Sequence, residues 1–250
     1  MLKKITILAI AILSVGSGYA QKSDANKHVK PSQEAIQKPK LVVGLVIDQM
    51  RWDYLYRYQS KYTDGGFKRL LNTGFSLNNV MIPYIPTVTA LGHTSVYTGS
   101  VPSIHGIAGN DWTDKSTGKN VYCTTDTSVQ AVGTSNAKIG QHSPRNLWST
   151  TITDQLGMAT NFRSKVVGVS LKDRASILPA GHNPTGAFWF DDSSGDFITS
   201  SYYMNDLPTW VKDFNAKNLP KSLVANGWDT LLPIEQYTES TSDNNKWEGL

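Results

Sequence analysis

Asp48, Thr89, Lys172 and Arg174 are side chains whose types and positions could do chemistry. Asp48 closes the apolar run Leu41-Val-Val-Gly-Leu-Val-Ile47. A carboxylate there is costly unless it is paired or binds a metal. Asp48 therefore reads as a metal ligand, with a helix N-cap before Trp52 or a structural ion pair as the alternative. Thr87 and Thr89 lie in Pro86-Thr-Val-Thr-Ala90, ahead of a helical pattern. Either can cap that helix, and either hydroxyl becomes a nucleophile if a metal lowers its pKa. Lys172 and Arg174 stand two apart after another apolar run. On an extended segment that spacing puts both on one face, where Lys offers a point charge and Arg a planar fork to a phosphate dianion. The alternative is a solvated strand end with Asp173 pairing one of them.

The histidines carry less. His93 follows Thr89 by four residues and His105 sits in Pro102-Ser-Ile-His-Gly106. Both are readable as groups behind a site or as satisfied structural histidines. His142 and His182 fall in loop-like stretches and take no role. No HExxH, P-loop, CxxC or GxSxG pattern occurs. Cys123 is the only cysteine, so no disulfide forms within the chain.

The elements that must position these residues follow from the apolar pattern. Leu41 to Ile47 reads as a strand buried on both faces, Ser76 to Ile82 as a second strand, and Lys165 to Leu171 as a third. Helices are predicted over Trp52 to Leu71 (interrupted at Gly65-Gly66), Thr89 to Thr98 with Gly99 as its stop, Ser149 to Ala159, and Pro208 to Lys217. Gly186 to Phe190 and Phe197 to Tyr203 read as paired strands around a turn. Asp111 to Arg145 reads as a long excursion, partly a hairpin. Strands alternating with helices predict an α/β fold with a mainly parallel sheet flanked by helices. Such folds place function at the carboxyl ends of strands.

The chain of 250 residues carries a formal charge of +4. Lys3 and Lys4, the apolar run Ile5 to Val15 and Gly18-Tyr-Ala20 read as an export signal over residues 1–20. Residues 21–40 hold five lysines against Asp24 and Glu34 and read as a flexible leader. With +2 in the signal and +3 in the leader, residues 41–250 are left with −1. The folded part is not basic, which argues against nucleic-acid binding. No later stretch is apolar enough for a membrane span. The expected location is periplasmic or secreted.

LVVGLVIDQMR (41–51), PTVTALGHTSVYTGSVPSIHGIAGN (86–110) and VSLKDRA (169–175) closely resemble the alkaline phosphatase superfamily. Thr-x-x-x-His and Thr-Gly-x-x-Pro-x-x-His-Gly-Ile are shared with its nucleotide pyrophosphatase/phosphodiesterase branch. Lys-x-Arg resembles its threonine-nucleophile group of periplasmic monoesterases. The resemblance implies that Asp48 is a zinc ligand and that Thr89, not Thr87, is the nucleophile and touches the metal. It implies that Asn110, Lys172 and Arg174 hold the phosphoryl oxygens, and that two zinc ions serve a phosphothreonine mechanism on small phosphate monoesters, in a monomer. In this family further ligands come as an Asp-x-x-x-His element, an Asp-His pair and a distant His. None follows Lys172 here, since His182 is the last histidine. Residues 41–250 are thus expected to be the N-terminal part of a larger catalytic domain, with the remaining ligands beyond Leu250. By itself this stretch is expected to be inactive, poorly folded and exposed at its sheet edges. The alternatives are a phosphodiesterase of the same superfamily and a non-catalytic binding module in which Thr89 merely caps a helix.

Overall fold

The computed structural model describes residues 38–227, 229–241 and 246. The expected signal, most of the expected leader, and the chain end from 247 lie outside the described residues. The chain divides into two units, Met1–Leu45 and Val46–Leu250. In the first, the described residues 38–45 form no regular element. All else described here belongs to the second.

Its elements are, in order, α1 (Tyr54–Arg57), α2 (Phe67–Thr73), α3 (Thr89–Thr98), α4 (Pro102–His105), β1 (Asp111–Thr113), β2 (Asn120–Tyr122), β3 (Ala131–Val132), α5 (Ala137–Gly140), α6 (Ile152–Ala159), β4 (Val167–Ser170), α7 (Asp173–Ala180), β5 (Gly186–Asp191), β6 (Asp196–Ser200), α8 (Thr209–Asn215) and α9 (Leu219–Leu223). Short 3-10 turns occupy Gln59–Lys61 and Ile234–Gln236. α3 spans the residues that the pattern predicts, and Gly99 stops it in the left-handed region at φ 64°.

The main sheet has the order β3-β6-β5-β4. β4 and β5 are parallel because α7 carries the chain back between them. β5 and β6 are antiparallel because the short turn after Asp191 joins them directly, and β3 pairs antiparallel with β6. The α/β class is as expected, but the sheet is mixed rather than mainly parallel. Alternation along β5 serves two layers. Ala187 and Trp189 pack with Ile177 and Ala180 of α7. Phe188 packs with Val211 of α8 and with Leu207. Gly168 in β4 lets α7 come close, because a Cβ there would run into the Ser176 carbonyl.

Two predicted strands are absent. Leu41 to Ile47 and Ser76 to Ile82 form no ladder. Their apolar side chains are exposed, Leu41 at 77% and Met81 at 81%. A buried strand needs partners on its edges and layers on its faces, and the described residues supply neither to these runs. β4 likewise has β5 on one edge and no second partner among the described residues, with Val167 and Val169 exposed.

α6 is tied to the loop after α7 by an ion pair. Thr151 and Asp154 form a capping box at the start of α6. The buried Asp154 carboxylate also accepts the backbone N–H groups of His182 and Asn183 and lies 3.1 Å from His182 Nδ1. His182 Nε2 is 2.9 Å from the Leu147 carbonyl. Both partners only accept, so both ring nitrogens donate and the ring is an imidazolium. Burial pushes Asp154 up, but the His182 bond and the backbone N–H groups outweigh it and hold its pKa low. The Asp154 bond raises His182 against its partial burial. The sign follows from linkage. The His182 contribution is complete below its unfolded value of 6.5 and is lost as pH rises through its raised pKa. The Asp154 contribution is complete above 3.8 and is lost as pH falls through its lowered one. Denaturant midpoints should therefore fall on the alkaline side of pH 6.5. His182→Leu should flatten that limb, and an unchanged slope in the variant would assign the loss elsewhere.

Candidate active site

Thr89 is the first residue of α3, whose N-cap is Val88 with no side-chain cap. Thr89 therefore does not cap its helix. Its Oγ1 donates to Asp48 Oδ2 at 3.0 Å, across 41 residues of chain. Asp48 is exposed, which differs from the buried carboxylate expected, since the run before it has no cover. It caps no helix either, because α1 begins at Tyr54 after Asp53, and no ion pair involves it among the described residues. Its Oδ1 accepts the Gln49 backbone N–H.

Asn110 supplies the cap that α3 lacks locally. Its Oδ1 accepts the Ala90 N–H at 2.9 Å. A helix start leaves free N–H groups, and here the satisfying group comes from the loop after α4. Fixing Oδ1 on the helix turns the Asn110 NH2 donors away from it. Ala90 is fully buried with Ile107, Cys123, Leu147 and Leu178, which anchors the Thr89 backbone on a packed floor.

Lys172 and Arg174 are not on an extended segment. Lys172 is the N-cap of α7 and Arg174 lies in its first turn. The strand ends at Ser170, so the i, i+2 argument from strand geometry does not apply. The exposed Lys172 Nζ lies 3.4 Å from Asp192 Oδ2. Arg174 Nη1 donates to the Tyr122 hydroxyl at 2.8 Å. Asp173 forms an ion pair with neither. It accepts Tyr122 Oη at 2.9 Å and the Thr124 hydroxyl. α7 packs on α3, and Leu178 one turn beyond Arg174 joins the floor beneath Ala90. No hydrogen bond among the described residues joins Thr89 to Lys172 or Arg174.

His93 Nδ1 is 2.9 Å from the Thr89 carbonyl and so donates to it. His105 is fully buried. Its Nδ1 accepts the Ile107 N–H, so its Nε2–H donates to Ser95. Burial lowers its pKa. Both act as structural histidines.

A protein-family model described as type I phosphodiesterase / nucleotide pyrophosphatase matches residues 42–247. The chain belongs to that family. Within it, the chain is 77% identical over 216 residues to alkaline phosphatase PafA of Elizabethkingia meningoseptica, covering 86% of this chain and 40% of the relative. It is 55% identical over 245 residues to alkaline phosphatase PhoV of Synechococcus elongatus, covering 98% of this chain and 44% of the relative. A crystal structure of wild-type alkaline phosphatase PafA superposes with a TM-score of 0.85, at 77% identity, over 86% of this chain and 42% of that one. The α/β fold is that of this relative over the matched part. The chain spans about two fifths of the length of these relatives.

The donor set can be tested against the metal that such relatives suggest. Two oxygens on one tetrahedral zinc, each about 2.0–2.1 Å away, stand roughly 3.3 Å apart. The Asp48 and Thr89 oxygens, 3.0 Å apart, are placed as two such ligands would be. Among the described residues, however, no group of three or more His, Cys, Asp or Glu is close enough to hold a metal. These two donors do not make a zinc site by themselves.

Sequence reasoning missed Tyr122 and Thr124. They lie at the end of β2, inside the excursion to which no role was assigned. The sequence offers Asp173 as a partner for Lys172 or Arg174, and no local signal points to these two hydroxyls.

Proposed function

We propose that this chain carries the nucleophile and phosphate-binding half of a phosphate monoesterase. The observation that carries the reading is the Thr89 hydroxyl, free of helix capping and held 3.0 Å from Asp48 beside the Asn110 amide. In this reading the Thr89 oxygen attacks phosphorus in line and the alcohol leaves with its ester oxygen. A phosphothreonine results, and water then hydrolyses it. The Asn110 NH2, Lys172 and Arg174 hold the equatorial oxygens as charge develops on them.

The reading includes two zinc ions, to which this stretch gives Asp48 and the Thr89 oxygen, the other ligands coming from chain outside these 250 residues. A bound metal would lower the pKa of the threonine hydroxyl. The substrates are small phosphate monoesters, and the location is periplasmic or secreted. The names of the relatives, alkaline phosphatases at 77% and 55% identity, support the substrate class, and the export-signal pattern of residues 1–20 supports the location. No described helix is long and apolar enough to cross a membrane.

The family description favours a second reading, a phosphodiesterase. The two cations at the start of α7 favour monoesters, because a diester carries one negative charge fewer.

Acid quenching of the full-length protein during turnover of an aryl phosphate monoester tests the mechanism. Mass spectrometry should find a phosphorylated peptide modified at Thr89. Phosphate at Thr87, or burst kinetics with no phosphopeptide, would overturn the assignment.

A further inference from the structure

Arg174 and Asp173 are adjacent in sequence and opposite in charge, yet they do not pair. The Tyr122 hydroxyl stands between them, accepting Arg174 Nη1 at 2.8 Å and donating to Asp173 Oδ1 at 2.9 Å. We propose that Tyr122 is a positioning residue for the phosphate-binding arginine, a spacer that keeps the guanidinium from collapsing onto the neighbouring carboxylate. The inference rests on the assignment of Arg174 to phosphate binding and adds the residue that makes Arg174 available.

Four features support it. The direction of the chain of bonds is fixed. Thr124 spends its one proton on Asp173 Oδ2 and lies 3.3 Å from His142 Nδ1, which must then donate. Each carboxylate oxygen thus has its own hydroxyl donor, and Asp173 does not need the guanidinium. The Tyr122 proton is secure, since burial and the Asp173 charge push its pKa far up. The arginine fork is also only partly used. Nη1 is tied to Tyr122, while Nε is buried with no hydrogen-bond partner. A guanidinium whose donors are not spent on a carboxylate keeps them for the oxygens of a phosphate. A tyrosine ring suits the spacer role because it has few rotamers and packs on the floor that holds Ala90.

Removing the hydroxyl frees the guanidinium and one carboxylate oxygen together. The two then meet directly, and Arg174 is withdrawn from the substrate.

The test uses the full-length protein with an aryl phosphate monoester and the matching diester. Tyr122→Phe should lower monoester kcat/KM by about 10- to 50-fold, with diester turnover changed by less than about threefold. In the Arg174→Ala background the same change should cost nothing further. Tyr122→Phe with Asp173→Asn should regain most of the lost activity, because the carboxylate that captures Arg174 has lost its charge. A purely structural tyrosine would show no such rescue. An equal loss in both backgrounds, or no rescue, overturns the spacer role. Full monoester activity in Arg174→Ala alone overturns the arginine assignment itself, a distinguishable result.

Discussion

Thr89→Ala in the full-length protein should lower turnover of phosphate monoesters by about a thousandfold or more while leaving stability almost untouched. The two halves of that expectation have separate causes. The loss of rate follows from removing the attacking oxygen, for which alanine offers nothing. The intact stability follows from the helix start. Thr89 does not cap α3, whose free Ala90 N–H is served by Asn110 Oδ1 instead. Among the described residues the only hydrogen bond lost is the one to the exposed Asp48, so the change in stability should stay within about 0.5 kcal/mol. Thr89→Ser, which keeps the oxygen, should retain a measurable fraction of the rate and still give a phosphorylated peptide. Steady-state kinetics and thermal melts on the same preparations check both halves. Turnover within tenfold of wild type would return Thr89 to the role of a surface hydroxyl and revive the binding-module reading.

The second large effect concerns selectivity. Replacing Lys172 and Arg174 together by alanine should reduce monoester kcat/KM by about 10²- to 10⁴-fold, from two charge-assisted bonds of about 1.5–3 kcal/mol each. Diester turnover should fall at least about tenfold less, because a diester oxygen carrying no charge gains less from either cation. Lys172 is free to serve. Its pair with Asp192 is exposed on both sides, and such pairs contribute little. Equal losses on the two substrates would favour the phosphodiesterase reading.

The parts legible in the sequence were those governed by neighbours in the chain. α3 was readable because the threonines ahead of it and its glycine stop lie within ten or so residues, and β5 with β6 because the turn residues sit between them. Lys172 and Arg174 were visible as a pair, but their setting was not. Nothing local says whether a chain turns helical three residues after Ser170 or continues extended. The apolar runs at Leu41 to Ile47 and Ser76 to Ile82 carry strand composition, yet a strand is a property of its partners. Tyr122 and Thr124 were invisible for another reason. Hydroxyl side chains are common, and only the fold brings these two to Asp173, 51 and 49 residues further on.

The long spans of these contacts bear on how the site is acquired. Asp48 reaches Thr89 across 41 residues, Asn110 reaches Ala90 across 20, and Arg174 reaches Tyr122 across 52. Each contact closes a loop whose entropy must be lost before the contact forms, and non-local pairings slow folding. The reactive geometry is therefore assembled as the chain completes its tertiary structure rather than when its helices first form. A substitution in the Ala90–Leu178 floor could then lower the yield of competent protein without touching any group that meets the phosphate.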